Sequence, residues 1–195
     1  MEASIFNRKY YDILSAAKIL FWKHGFRRVT IDEICREAKT SKMTFYRYFP
    51  NKLEVAKTIF DNITDEGLVR FREIMKDDSA PEEKMKNILQ LKLEGTKNIS
   101  NDFINDFYNS PGLGLSQYTE EKTKTLWRET LELFKDGQKE GWIRDDMNVE
   151  FMFYFMQKSA TLLTDTELLK LFKSPQDLIM ELANMFVYGI SPSEK

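Results

Sequence analysis

The sequence predicts an all-α protein. Three observations lead there. The chain is poor in turn formers, with 8 Gly and 5 Pro among 195 residues. It is rich in Leu, Glu, Lys, Met and Ala, residues that propagate helices at little conformational cost. From its first element on, apolar residues recur at offsets 3, 4, 7 and 8, the spacing of one helix face. With 42% hydrophobic residues the chain can bury one large core or two small ones.

Composition also excludes. Cys35 and His24 are the only cysteine and histidine, so an intrachain disulfide is impossible and a zinc site lacks soft ligands. Neither a metal nor a cofactor is expected. The amino terminus shows no apolar signal segment, and no apolar run approaches the roughly 18 residues that span a bilayer. A cytoplasmic, membrane-free protein is expected. Charge is uneven: residues 1–60 hold 12 Lys and Arg against 6 Asp and Glu, a net of +6, leaving 17 against 25, a net of −8. A basic end on an acidic body suits contact with a polyanion, although composition alone permits a merely solvated basic segment.

The elements follow in chain order. From about Arg8 to His24, Ile13, Ala16, Ala17, Leu20 and Phe21 share one helix face. Gly25 stops this helix, and Phe26 stands where a C-cap places its apolar contact. Thr30-Ile31-Asp32-Glu33 is a capping box that opens a second helix lasting to about Ala38. Its apolar face holds Ile31, Ile34, Cys35 and Ala38, which makes Cys35 a small buried hydrophobe. Ser41 caps a third helix to about Tyr48, and Pro50 ends it. Asn51, with Glu54 three residues on, caps the fourth. Two short helices joined by a tight turn and backed by a longer one make a helix-turn-helix, with Ser41 to Tyr48 as recognition helix. On it Phe45 and Phe49 share the buried side. Lys42, Thr44, Tyr46 and Arg47 cover the rest, a set suited to phosphates and base edges.

HGF at residues 24–26, VTIDEI at 29–34 and SKMTFYRYFPNK at 41–52 resemble the DNA-binding head of the TetR family of bacterial transcriptional regulators, over about Arg8 to Phe60. The resemblance implies an all-α homodimer that places each third helix in one half of a palindromic operator. It also implies a helical body that binds a small molecule. Residue by residue, Thr44, Tyr46 and Lys52 match phosphate donors, Lys52 aided by the positive end of the fourth helix. Lys42 and Met43 match the pair that reads bases. Thr30, Ile31 and Asp32 face the same groove, and Arg47 divides between phosphate contact and plain surface. Two departures stand out. The turn has Lys39-Thr40 where the family generally has Gly and an aliphatic residue, and positive φ at Lys39 would cost about 1 kcal/mol. Asp32 would repel phosphate unless it accepts from cytosine N4.

The expected division is 1–50 for the DNA-binding domain and 51–195 for a helical ligand-binding and dimerisation domain. In the latter, helices are expected to about Met75, from Pro81 to Ile99, from Asn101 to Asn109, and from Thr119 to Glu140. Further helices are expected from Val149 to Thr164 and from Pro175 to about Tyr188, with SPGLGLS at 110–116 as a loop and part of a ligand portal. Aromatics between head and carboxyl terminus, Phe60, Phe71, Phe103, Phe107, Tyr108, Trp127 and Phe134, are candidates to line an apolar effector pocket, with ordinary core as the alternative. The last two helices are apolar around much of their circumference. Phe151, Met152, Phe155, Leu162, Leu178, Leu182, Met185 and Phe186 are therefore the candidate dimer interface, again with internal core as the alternative.

A ligand-responsive regulator, with repression relieved by ligand as the family's common mode, is the resulting expectation. Activation and co-repression fit the sequence equally. Two other classes compete: a helical interaction protein whose basic head meets another acidic partner or a membrane, and a carboxylate-based enzyme. Salt dependence and sequence preference separate them, because binding through several phosphates falls steeply with salt.

Overall fold

A computed structural model describes residues 2–190, with side chains from Arg8 onward except that of Pro111. Among these residues the backbone is all-α: α1 (Glu2–Arg28), α2 (Ile31–Glu37), α3 (Lys42–Tyr48), α4 (Lys52–Lys76), α5 (Pro81–Gly95), α6 (Asn101–Tyr108), α7 (Leu115–Glu140), α8 (Val149–Ser159), α9 (Thr166–Leu169) and α10 (Pro175–Ile190). Short 3-10 turns cover Pro111–Leu113 and Ala160–Thr164. The chain divides into two compact units, one of residues up to 63 with 98–120, the other of 64–97 with residues from 121 on.

In the first unit, Ile13, Ala16, Ala17 and Phe21 of α1 are buried as their spacing requires, together with Leu14, and Ile34, Phe45, Phe49, Val55 and Ile59 of the following segments are buried as well. The backbone leaves the helical region at Gly25 (φ 74, ψ 167). That glycine is needed twice over. Its φ belongs to the left-handed side, and a Cβ there would lie 2.7 Å from Asp106 Oδ2. Phe26 then turns inward against Phe21 and Phe107.

Both halves of the expected capping box form: the Thr30 hydroxyl accepts from Glu33 N, and the Thr30 amide donates to Glu33 Oε2 at 2.8 Å. The Thr30 amide and hydroxyl, both donating to this carboxylate, hold it below the ordinary carboxylate range. Ile34 and Cys35 are buried, and burial pushes the Cys35 thiol up. The turn to α3 is a Schellman closure. Thr40 N donates to Cys35 O at 2.9 Å and Lys39 N to Arg36 O at 3.2 Å. Lys39, at φ 50, occupies the position that usually takes glycine. α3 begins at Ser41, whose Oγ accepts from Thr44 N at 3.1 Å, and it buries Phe45 and Phe49. Asn51 Oδ1 accepts from Glu54 N at 3.0 Å and opens α4.

The second unit is centred on Met75, Met85, Phe134, Trp142, Ile143, Val149, Met152, Phe153, Val187 and Ile190. Trp142 and Ile143 pack back after α7 as expected, their amides both donating to Gly137 O at 3.1 Å. Gly137 makes this possible because a Cβ would run into the Trp142 ring. Lys84 is buried, with Nζ donating to Ile74 O at 3.1 Å, to Met75 O at 3.0 Å and to Asp77 O. Its ammonium thus closes the carboxyl end of α4.

Several boundaries move. The 110–116 loop is shorter than expected, because α7 starts directly after Gly114 with Leu115 fully buried. α5 stops at Gly95 rather than Ile99, with Asn98 at φ 62 beyond it. α8 ends at Ser159 and tightens into a 3-10 turn through Thr164. A one-turn helix, α9, was not anticipated. Asp165 caps it, its Oδ1 accepting from Glu167 N and Leu168 N.

Because a lysine pays a steric penalty at positive φ that glycine does not, Lys39→Gly should raise unfolding free energy by about 0.5–1 kcal/mol. A denaturant melt of both proteins checks this, and a loss of stability would show that the Lys39 side chain stabilises the turn by more than its strain.

Candidate nucleic-acid interface

The capped starts of α2 and α3 place a set of polar side chains on one exposed surface. Lys42 and Met43 open α3, and Met43 is 83% exposed, a bare apolar tip that no core contact explains. Tyr46 lies one turn on, 53% exposed, its ring edge-on to buried Phe45 at 5.5 Å. Its phenol is thereby anchored from below and open above. The Arg47 guanidinium sits over the Tyr48 ring at 5.6 Å. Thr44 is half-buried, its hydroxyl 3.0 Å from Ser41 Oγ, so one of its hydrogen bonds is spent within the helix start. Thr30 is exposed, with its hydroxyl engaged by Glu33 Oε2 at 2.8 Å.

Asp32, the acidic oddity of this surface, has a partner. Its Oδ1 lies 2.7 Å from Lys42 Nζ, a bridge from α2 to α3 with both side chains largely exposed. The hydrogen bond and charge of Asp32 raise the Lys42 ammonium above its usual range.

Lys52 is used differently from its expected role. Its Nζ donates to Val29 O at 2.6 Å, Phe26 O at 2.7 Å and Arg27 O at 3.4 Å, and it lies 4.3 Å from the Phe26 ring centroid. Burial lowers its pKa below the ordinary lysine range. An ammonium has three donors, and here the carbonyls at the end of α1 take them. Lys52 holds the backbone that leads into Thr30 rather than standing free for phosphate.

Sequence reasoning missed what ties α1 to α6. Asp106, buried on α6, accepts from Arg27 N at 2.7 Å, with Arg27 Nε 3.5 Å from its other oxygen. Arg27 Nη2 donates to Ser110 Oγ at 2.9 Å, and Trp22 O accepts from Ser100 N at 3.0 Å. A polar groove of about 510 Å³ runs beside this tie between His24, Arg27 and Arg28 on one wall and Asp102, Asn105, Asp106, Asn109 and Ser110 on the other. The available signal was the spacing of Asp102, Asn105, Asp106 and Asn109 at 0, 3, 4 and 7, a second stripe opposite Phe103, Ile104 and Phe107.

The candidate effector aromatics separate into two sets. Phe60, Phe103 and Phe107 are buried in the first unit, with Phe103 stacked on Phe107 at 4.1 Å. Tyr108 is exposed on the same helix. In the second unit Phe71 stacks on Phe134 at 5.9 Å, while Trp127 and Phe134 both stand edge-on to Phe153. The candidate dimer residues divide by burial. Met152 and Leu178 are buried within the protomer, Leu182 and Phe186 partly so, whereas Phe151, Phe155, Leu162 and Met185 are exposed. Tyr154 and Tyr188, also exposed, extend that apolar face.

Residues 13–59 match the family model for bacterial regulatory proteins of the tetR family. The HTH-type transcriptional repressor KstR2 of Mycobacterium tuberculosis is 21% identical over 160 residues, 79% of this chain and 78% of that protein. Among solved structures, the fatty acid degradation regulator FadR from Bacillus halodurans superimposes with TM-score 0.69 at 18% identity, covering 93% of this chain and 95% of that one. FadR from Bacillus subtilis, solved in complex with stearoyl-CoA, gives 0.68 at 19% identity, with 93% and 99% covered.

Removing the Lys52 ammonium leaves carbonyls at the end of α1 without their donor, so Lys52→Ala should lower stability by about 1–3 kcal/mol. Tyr46→Phe should leave it unchanged. Thermal melts of the two variants make the comparison; equal melting temperatures would mean that water replaces the ammonium without loss.

Proposed function

We propose that the chain, whose residues 13–59 match the tetR family of bacterial regulatory proteins, is a repressor of that family that binds a palindromic operator as a homodimer and is released by a small apolar effector. It is a transcriptional regulator and not an enzyme. The observation that supports operator binding best is the anchored, outward surface at the starts of α2 and α3: Thr30, Lys42, Met43, Thr44, Tyr46 and Arg47. Residues 1–50 are the DNA-binding part on this reading, and 51–195 the ligand-binding and dimerisation part. On this reading the protein acts on chromosomal DNA in the cytoplasm. No helix among the described residues is long and apolar enough to cross a membrane.

Homodimerisation is supported by the exposed Phe151, Phe155, Leu162 and Met185, with Tyr154 and Tyr188 beside them. Apolar surface of this kind on two adjacent helices marks an association face more often than a solvated one. A homodimer presents two copies of α3, which must lie about 34 Å apart to enter successive major grooves. Effector binding that favours another spacing weakens DNA binding, and a coupling of about 1–3 kcal/mol gives a change of roughly 5- to 150-fold.

The aromatic content of the body, and the stearoyl-CoA bound by the similar FadR, support an effector with a long apolar part, such as an acyl thioester. Phe71, Trp127 and Phe134 of the second unit are the residues proposed to meet it, with Phe60, Phe103, Phe107 and Tyr108 of the first unit as the alternative set.

Fluorescence anisotropy against DNA upstream of the coding region, with scrambled DNA as control, tests the reading at two salt concentrations. Tight, sequence-selective and salt-sensitive binding is expected; equal, salt-insensitive binding to both would overturn it. Tyr46→Phe should weaken binding several-fold on every sequence, about 1 kcal/mol for one hydrogen bond. Phe151→Asp combined with Met185→Glu should convert the dimer to monomers in sedimentation velocity. A double variant that stays dimeric would move the interface elsewhere.

A further inference from the structure

Asp32 is a carboxylate on a surface proposed to meet a polyanion, and alone it would oppose binding. It is not alone: its Oδ1 stands 2.7 Å from Lys42 Nζ, and the bridge joins the first turn of α2 to the first residue of α3. The amino end of a recognition helix is the part that reaches base edges. Three other cations of the head are engaged elsewhere: Lys9 pairs with Asp12 and Lys39 O, Lys52 with the end of α1, and Arg27 with Asp106.

The separation of the two charged atoms has a counterpart in the major groove. A cytosine N4 amino group and the guanine O6 it pairs with are donor and acceptor about 2.9 Å apart. A carboxylate oxygen beside an ammonium is the reverse pattern at nearly the same spacing. Each group keeps hydrogen-bonding capacity beyond its partner, since an ammonium has three donors and a carboxylate about four acceptor sites. Guanine N7 offers the ammonium a second acceptor. An A·T pair in the same orientation places thymine's methyl group there instead, and a pair in the opposite orientation sets acceptor against carboxylate.

Resting on the operator-binding reading above, we propose that Asp32 and Lys42 act as one reading unit for a single C·G base pair in each half-site, the Asp32 carboxylate accepting from cytosine N4 and the Lys42 ammonium donating to guanine O6 and N7. Asp32 is then a specificity-determining residue, and it also lowers affinity for unrelated DNA by repelling phosphate. Lys42 does not bind the backbone.

The experiment is selection from a randomised operator library with the full-length protein and the Asp32→Ala, Lys42→Ala, Asp32→Asn and double-alanine variants, followed by anisotropy titrations on single-base operator variants. Both residues are exposed, and a thermal melt of each variant checks the fold. The wild type should prefer C·G at one position per half-site by about tenfold or more. Each alanine variant should reduce that preference to within about twofold at the same position. The double variant should reduce it no further, because either loss dismantles the unit. Asp32→Asn should admit adenine at the cytosine position, since a carboxamide pairs with adenine N6 and N7. If Asp32→Ala keeps the full preference, or if the two alanine variants alter different positions, the joint reading is overturned while the regulator reading stands. A wild type that enriches no sequence overturns both.

Discussion

The geometry of the recognition surface depends on how α1 ends. A helix leaves its last carbonyls without partners, and here α1 must stop within a few residues of the Thr30 cap that opens α2. The Lys52 ammonium, driven into the carbonyls of Phe26 and Val29 and over the Phe26 ring, satisfies those groups. It also pins the start of α4 to the end of α1, so that α2 and α3 hang between two fixed points. The second unit repeats the device: buried Lys84 closes the end of α4. A desolvated ammonium is costly unless every donor is used, and in both places nearby carbonyls supply the partners.

The electrostatics follow a similar economy. Residues 1–60 have a net charge of +6, but that figure overstates what is free to meet phosphate. Lys52 is partly buried and bonded to backbone carbonyls, Lys42 is shared with Asp32, and Arg27 is committed to Asp106 and Ser110. The surface that remains is less a uniform cationic patch than a small set of placed donors around Tyr46. Placed donors discriminate among sequences, whereas diffuse charge mainly raises affinity for all of them.

The head was legible in the sequence because its signals are local. The Thr30 box, the Ser41 and Asn51 caps, and the Phe45/Phe49 pair each act over three or four residues, and each forms as spaced. Lys39 was legible as a departure and adopts the positive φ that its place in the turn demands. What the sequence hid is what depends on distant partners. Nothing near Lys52 announces that its ammonium will find carbonyls more than twenty residues back, and nothing near Asp106 announces Arg27. In the carboxyl-terminal helices an apolar residue facing its own core looks the same as one facing a second subunit. Met152 and Leu178 turn inward while Phe151 and Met185 stay exposed, a division that needs the angle between helices, not only their period.

The tie at Gly25 constrains how any effector response could reach the proposed DNA-binding surface. α6 lies so close to the bend after His24 that even a methyl group on Gly25 would meet Asp106 and Asp102. Packed backbones of this kind do not compress. A shift of α6 toward α1 must therefore move residues 25–28, and a shift away must stretch the Asp106 bonds to the Arg27 amide and guanidinium. Phe26, Arg27 and Val29 are also those whose carbonyls Lys52 grips, immediately before the Thr30 cap. On the proposed mechanism, α6 thus needs no contact with DNA to influence it: a small displacement of its amino-terminal turns is felt at the carbonyl cluster that sets the angle of α2, and through the Schellman turn at Lys39, the angle of α3.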